Sequence, residues 1–128
     1  MKILYVEDDP INRRVLKAML EQAGSTVYEA EDALIGLEMI ERNTYDLILM
    51  DLRMPGMDGM TAIERIRARS DAKARLPVIV VTADTADNIR KNCIARGADD
   101  LVMKPVDTAT LFDAIAKTMI AKGAEMAL

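Results

Sequence analysis

Five short, mostly apolar segments rich in β-branched residues recur along the chain, separated by longer segments in which apolar residues have helical spacing. Mostly apolar strands that alternate with helices are typical of a parallel sheet covered by helices on both faces. We therefore predict an α/β fold, a flavodoxin-like doubly wound sheet of five parallel strands in the order 2-1-3-4-5 with five helices. The predicted strands are Ile3–Glu7, Thr26–Ala30, Leu47–Asp51, Val78–Thr82 and Leu101–Lys104.

The intervening segments predict the helices. The first begins at Pro10 after a capping Asp9, the third near Asp58, and the last at Asp107 or Thr108, because these residue types suit helix starts. Apolar residues three or four apart mark one face of each helix. These residues are Ile11, Val15 and Met19; Ala33, Leu34, Leu37 and Ile40; Met60, Ile63 and Ile66; Ala86, Ile89, Cys93 and Ile94; and Leu111, Ile115 and Met119.

The length of 128 residues fits one domain. We assign residues 1–122 to this domain and residues 123–128 to a short C-terminal tail, and we interpret the polar stretch from Ala68 to Arg75 as a helix end and loop. Met1 directly before the first strand and the short tail favour an intact protein. The first apolar run is too short for a signal peptide, and no stretch approaches the ~20 apolar residues of a membrane span. We expect a cytoplasmic protein that does not bind membranes.

Composition excludes several classes of function. With 17 Lys and Arg against 21 Asp and Glu, the formal net charge is −4, which argues against nucleic-acid binding. The chain has no histidine and one cysteine, so it has neither a disulfide framework, a Cys/His zinc site nor a Ser/His/Asp catalytic arrangement.

Acidic residues cluster at the ends of two strands that the predicted order makes neighbours. Glu7, Asp8 and Asp9 end the first strand, and Asp51 ends the third. Carboxylates gathered at one sheet edge repel each other unless a cation is bound, and oxygen ligands alone suit Mg²⁺ or Mn²⁺. We interpret Asp9, which precedes Pro10, as a helix cap, and Asp8 and Asp51 as metal ligands.

Two other strand ends carry groups that suit an anion. The ammonium of Lys104 can reach the same edge, and Pro105 restricts its backbone to an extended or turn conformation, with a cis peptide bond as one possibility. The Thr82 hydroxyl and the Ala83 N–H suit phosphoryl oxygens. Each feature alone also fits an ordinary surface lysine or strand threonine. Together with a cation and a reactive aspartate, they indicate phosphoryl transfer to a carboxylate.

Four motifs in this order resemble those of the receiver (response regulator) domain of two-component signalling, including its chemotaxis regulators, over essentially the whole chain. They are Val6-Glu7-Asp8-Asp9-Pro10, the run from Leu47 to Gly59, Val81-Thr82-Ala83, and Lys104-Pro105. The resemblance implies that Asp51 accepts a phosphoryl group from a phosphohistidine on a sensor kinase or phosphotransfer protein. It further implies that Thr82, Ala83 and Lys104 bind phosphoryl oxygens, and that Mg²⁺ is held by Glu7, Asp8, Asp51 and the main-chain carbonyl of Arg53.

The resemblance also implies a signalling output. A downstream protein reads the face formed by the fourth helix, fifth strand and fifth helix, and the domain only assists its own phosphorylation and dephosphorylation, without turnover as an enzyme. Relatives often carry Tyr or Phe three residues before the lysine, where this chain has Leu101, so we expect backbone and helix movement to replace an aromatic rotation. We also hypothesise that Arg53 and Asp84 pair across the pocket mouth and slow dephosphorylation.

Three alternatives accompany the leading interpretation of a stand-alone regulator. One is a receiver domain cut from a hybrid histidine kinase or multidomain regulator. Another is an aspartyl-phosphate phosphatase of the haloacid-dehalogenase type, which needs a second Asp where this chain has Arg53. The last is a flavin-binding module, whose phosphate loop would meet the repelling acids after the first strand.

Overall fold

The computed structural model describes residues 1–127, with side chains described as far as residue 123. Strands and helices alternate along the whole chain. The strands are β1 (Lys2–Val6), β2 (Thr26–Ala30), β3 (Leu47–Met50), β4 (Val78–Thr82) and β5 (Asp100–Met103). The helices are α1 (Pro10–Gln22), α2 (Ala33–Arg42), α3 (Gly59–Arg67), α4 (Ile89–Ala95) and α5 (Thr108–Ala127), with a 3₁₀ turn at Ala72–Arg75.

The sheet has five parallel strands in the order β2-β1-β3-β4-β5, which confirms the predicted fold. Successive strand residues point to opposite faces, so the sheet separates two apolar cores. One core contains Leu4 and Val6 with side chains of α2, α3 and α4, and the other contains Ile3 and Tyr5 with side chains of α1 and α5. No helix in the described part of the chain is both long enough and apolar enough to cross a bilayer.

Aspartates cap α1, α3 and α5, as predicted. The Asp9 carboxylate accepts a 2.8 Å hydrogen bond from the N–H of Ile11, and Asp58 accepts one of 2.8 Å from Thr61. Asp107 accepts a 2.9 Å bond from the N–H of Thr110, so Asp107 rather than Thr108 caps α5. Each carboxylate satisfies an N–H that the first helical turn leaves unpaired.

Some predicted helix faces were wrong. On α1, Ile11 and Val15 are 71% and 57% exposed, whereas Leu16 and Leu20 are buried. The helix carries two apolar stripes: Leu16 and Leu20 pack on the sheet, and Met19 of the predicted stripe is partly buried against the same core. Leu34 of α2 is likewise 59% exposed, because Ala33 and Ile40 face the core.

Helix α4 begins at Ile89, so Ala86, predicted to be helical, lies before it. The reason is a turn in which the Asp84 carboxylate accepts a 2.9 Å hydrogen bond from the Ala86 N–H, followed by Asn88 in the left-handed region at φ 64°. Ile94 is 44% exposed rather than buried. At the other end of the chain, α5 continues through residues 123–127 of the predicted tail, and Leu128 lies outside the described residues.

Candidate functional site

Three carboxylates meet at the C-terminal edge of the sheet. Glu7 and Asp8 follow β1 and Asp51 follows β3, and these strands pair side by side with Val6 opposite Met50. Carboxylate oxygens of the three residues all lie within 4.8 Å of one another. Glu7 and Asp51 are buried, at 1% and 5% exposed, while Asp8 is exposed. The predicted acidic cluster therefore forms, with one open side.

Lys104, which follows the edge strand β5, reaches this cluster from the side of the sheet. Its Nζ lies 2.5 Å from Glu7 Oε1 and 3.5 Å from Asp51 Oδ1, and its side chain is 18% exposed. The Lys104–Pro105 peptide bond is cis, one of the conformations expected from the sequence. The Lys104 N–H donates a 2.8 Å hydrogen bond to the Thr82 carbonyl, which fixes the residue beside β4. The Lys104 ammonium thus contacts two of the three acids.

The pKa directions reflect this excess of negative charge. Burial and the interaction with Asp51 raise the pKa of Glu7, although Lys104 partly offsets the rise. Burial opposes the charge on Lys104, but the bond to Glu7 and the nearby Asp51 prevail and raise its pKa. The pKa of Tyr5, whose hydroxyl donates a 3.4 Å hydrogen bond to Glu7, is raised by burial and by the same acids. The cluster therefore favours an additional positive charge.

A hard divalent cation fits this donor set. The side-chain ligands are all carboxylates, and burial together with the neighbouring Asp51 raises the pKa of Glu7, so a further positive charge would stabilise its ionised form. Mg²⁺ prefers oxygen ligands and keeps several waters, and the exposed Asp8 leaves room for them. The residues present thus match Mg²⁺, with Mn²⁺ as a chemically similar substitute.

Thr82 is the last residue of β4, which neighbours β3 in the sheet, and Ala83 follows directly after it. Thr82 is 1% exposed, and its Oγ1 accepts a 3.1 Å hydrogen bond from the N–H of Asp84. A hydroxyl that accepts one bond still has its own hydrogen to donate. Ala83 is exposed at the rim. Both residues stand at the edge where the sequence placed them.

An ion pair joins the two loops at the mouth of the site. Arg53 Nη2 lies 2.9 Å from Asp84 Oδ2, which confirms the predicted pairing. The Arg53 side chain is 78% exposed and that of Asp84 is 15% exposed. The pair connects the loop after β3 with the loop after β4. Its effect on the lifetime of a phosphorylated state stays a prediction.

Two supporting residues were missed from the sequence. A Cβ built on Gly59 would lie 2.1 Å from the Asp51 carbonyl oxygen, so only glycine permits α3 to start this close to Asp51. Arg13 Nη1 donates a 2.7 Å hydrogen bond to the Glu7 carbonyl and holds the chain where β1 ends. The sequence did signal a helix start at Asp58-Gly59, although not the contact with Asp51, whereas no sequence pattern marked Arg13.

Comparison with known proteins gives consistent matches. The family model described as "Response regulator receiver domain" matches residues 3–116. The chain is 32% identical to the sensor protein GacS of Pseudomonas syringae pv. syringae over 91% of this chain, and 39% identical to the transcriptional activator protein IrlR of Burkholderia pseudomallei over 87% of it. It spans 13% of the length of GacS and 47% of that of IrlR.

Solved structures agree with these relatives. The receiver domain of the sensor histidine kinase PA1611 from Pseudomonas aeruginosa, which holds a magnesium ion in its active site cleft, is 37% identical, with a TM-score of 0.83 over 92% of this chain and 96% of that one. A CheY-like response regulator receiver domain protein from Methanospirillum hungatei is 29% identical, with a TM-score of 0.86 over 97% of both chains.

Proposed function

The chain belongs to the response regulator receiver domain family, and from this premise we propose that Asp51 accepts a phosphoryl group from a phosphohistidine of a sensor kinase or phosphotransfer protein. One observation carries the proposal: Asp51 lies among the carboxylates of Glu7 and Asp8 and 3.5 Å from the ammonium of Lys104. A phosphoryl group on Asp51 brings further oxygens that the ammonium can bind.

The transfer forms one bond and breaks one. An Asp51 carboxylate oxygen attacks phosphorus, the P–N bond to the donor imidazole breaks, and its electron pair stays on the imidazole nitrogen. Lys104, Thr82 and the Ala83 N–H bind the phosphoryl oxygens. These groups are held by the fold before the donor arrives, so this chain contributes mainly positioning and electrostatic stabilisation.

Glu7, Asp8 and Asp51 would hold Mg²⁺ together with the main-chain carbonyl of Arg53. When bound, the metal supplies positive charge that compensates the acids and the transferring oxygens. The domain acts as a phosphoacceptor and not as an enzyme with turnover. A phosphatase of the haloacid-dehalogenase type fits less well, because Arg53 stands at the general-acid position and is paired with Asp84.

The donor docks beside the site on α1. Ile11 and Val15 are the large exposed apolar residues of this helix, at 71% and 57%, and Val15 lines a cavity of about 160 Å³ together with Lys104 and Pro105. An exposed apolar stripe beside the acceptor suits a helix that carries the phosphohistidine.

The output face consists of α4, β5 and α5. A cavity of about 510 Å³ lies on it, between Ile89, Met103 and Thr110. The added charge of about −1.5 to −2 on Asp51 draws Lys104 and Thr82 inward and changes this face, which a downstream protein then binds.

Because the chain covers 13% of GacS and 47% of IrlR, a stand-alone cytoplasmic regulator and a domain of a hybrid kinase or multidomain regulator both fit.

Incubation with acetyl phosphate and Mg²⁺, followed by intact mass measurement, tests the proposal. The parent gains one phosphoryl group, and Asp51→Asn gains none. Asp87→Asn, at an exposed aspartate far from the cluster in sequence, is the matched control and behaves like the parent. A parent that stays unmodified, or an equally modified Asp51→Asn variant, contradicts the proposal.

A further inference from the structure

A side chain of α4 reaches the main chain of the last strand. Arg90 Nη1 donates a 3.1 Å hydrogen bond to the Leu101 carbonyl, and Nη2 forms an ion pair with Asp100 Oδ1. The same Asp100 oxygen accepts a 2.8 Å hydrogen bond from the Leu101 N–H. Side chains thus satisfy both polar main-chain groups of Leu101.

These contacts lie along the outer side of β5, which is a lateral edge of the sheet. Among the strands that the structure describes, β5 pairs with β4 alone, so its other edge has no neighbouring strand there. The Arg90 side chain is 58% exposed and that of Asp100 is 13% exposed, so the ion pair covers the edge from outside. Arg90 is therefore a bridge between α4 and β5 that substitutions can remove without opening a core.

The other attachments of α4 are few. The helix has seven residues, its N-cap Asn88 makes no side-chain capping bond, and Cys93 is its one buried residue. It follows a loop whose first turn is fixed by the bond from the Asp84 N–H to Thr82 Oγ1. A movement of Thr82 toward a phosphoryl group therefore pulls on the segment that leads into α4.

The side chain of Leu101 does not provide an alternative mobile connection between α4 and β5. Its side chain is 7% exposed and belongs to the same core as Cys93, with Ile89 packed against that core. An aliphatic side chain fixed beneath α4 has no polar tip that gains from turning outward. The connection between α4 and β5 that faces solvent is instead the Arg90 bridge.

We propose that Arg90 is a positioning residue that latches α4 onto β5 in the unphosphorylated protein, through Asp100 and the Leu101 carbonyl, and that the latch opens when Thr82 moves toward the phosphoryl group. The inference rests on the proposed function and assigns its regulation to a particular contact. Because a latch that stabilises one of two arrangements opposes the other, its removal favours the phosphorylated arrangement.

The test compares Arg90→Ala with Lys91→Ala, which removes the neighbouring exposed cation of α4. Beryllofluoride, a non-covalent mimic of the phosphoryl group, is titrated in Mg²⁺ and binding is followed by amide NMR. We expect half-saturation at an about threefold lower concentration in Arg90→Ala, in keeping with a half-exposed ion pair. Amide exchange in residues 89–95 of the free protein becomes faster by a similar factor, and Arg90→Lys restores part of both effects.

Two results overturn the latch: half-saturation in Arg90→Ala that equals that of Lys91→Ala, or half-saturation at a higher concentration. A merely structural role for Arg90 also speeds exchange but does not tighten beryllofluoride binding. Failure of the proposed function gives a different pattern, because the parent itself then neither binds beryllofluoride nor gains a phosphoryl group from acetyl phosphate.

Discussion

Lys104 donates a 2.5 Å hydrogen bond to Glu7, a residue 97 positions earlier in the chain. The acceptor is almost fully buried, and the same ammonium lies 3.5 Å from Asp51. One side chain therefore offsets the charge of the two buried acids of the site. We therefore expect both the stability of the fold and the proposed binding of a phosphoryl group to depend on it.

We expect Lys104→Met to lower both the stability of the fold and the rate of phosphorylation. Loss of the cation leaves Glu7 and Asp51 facing each other, and we expect a decrease of about 1–2 kcal/mol in the free energy of unfolding at neutral pH, less than for a fully buried pair. The rate of phosphorylation by acetyl phosphate falls at least about tenfold, since an oxyanion-binding group is lost. Urea unfolding in EDTA and intact mass measure the two effects, with Lys91→Met as control. Unchanged stability contradicts the assigned role of Lys104.

Glu7→Gln changes the pH dependence of stability. Because the pKa of Glu7 is higher in the fold than its ordinary value of 4.5, the folded protein holds this proton more tightly than the unfolded chain does. The resulting stabilisation is present below pH 4.5 and is lost as the pH rises through the raised pKa. As the pH rises from 4 to 8 in EDTA, the melting temperature of the parent therefore falls relative to that of Glu7→Gln. A difference between Glu7→Gln and the parent that does not change with pH refutes the prediction.

Mg²⁺ stabilises the parent. A ligand at tenfold its dissociation constant that binds only the folded state adds about 1.4 kcal/mol to the free energy of unfolding. We expect the urea midpoint to rise with Mg²⁺ and to rise much less in Asp8→Asn, which removes the exposed carboxylate of the cluster. Asp87→Asn retains the full response. A parent midpoint that does not respond to millimolar Mg²⁺ counts against the metal site.

Arg53→Ala shortens the phosphorylated state. The ion pair between Arg53 and Asp84 joins the loops after β3 and β4 at the mouth of the site. We expect it to obstruct the attacking water, but an exposed pair of this kind is weak, so dephosphorylation becomes about two- to fivefold faster without it. The decay of the phosphorylated mass after removal of acetyl phosphate measures the rate. Arg65→Ala removes a cation of α3 and leaves the rate unchanged. Equal dephosphorylation rates in the parent, Arg53→Ala and Arg65→Ala contradict the prediction.

Gly59→Ala destabilises the fold, whereas Gly123→Ala does not. At Gly59 the new methyl group meets the Asp51 carbonyl oxygen, and we expect a loss of about 2–3 kcal/mol, at the upper end for overpacking. A Cβ at Gly123 of α5 meets nothing within 4 Å, and alanine there stabilises the helix by about 0.5–1 kcal/mol. Denaturant unfolding of both variants checks the contrast, and equal effects contradict it.

The sheet and the cluster were predictable because both follow from strand order. Once β1 and β3 are neighbours, Asp8 and Asp51 must end at the same edge. The alternation of five strands with helices and the handedness of the crossovers leave few topologies, and this order is a common one among them. The ion pair of Arg53 with Asp84 was predictable for the same reason, since the loops after β3 and β4 leave the sheet side by side.

Details that depend on competing side chains were not predictable. Helix α1 has two apolar stripes, and the sequence does not say that Leu16 and Leu20 pack on the sheet while Ile11 and Val15 remain exposed. The reach of Arg90 to the Leu101 carbonyl depends on the separation of α4 and β5, which periodicity does not give. The start of α4 was misplaced because the turn at Asp84 competes with helix formation.

The placement of Lys104 after the final strand has a consequence for synthesis on the ribosome. A nascent chain emerges with Glu7 first and Asp51 second, and the ammonium that offsets them arrives only when β5 has been made. Truncated products that end before β5 carry the acids without their counterion. Charge balance in the pocket thus comes only with the last strand of this sheet, after both buried acids have already been synthesised.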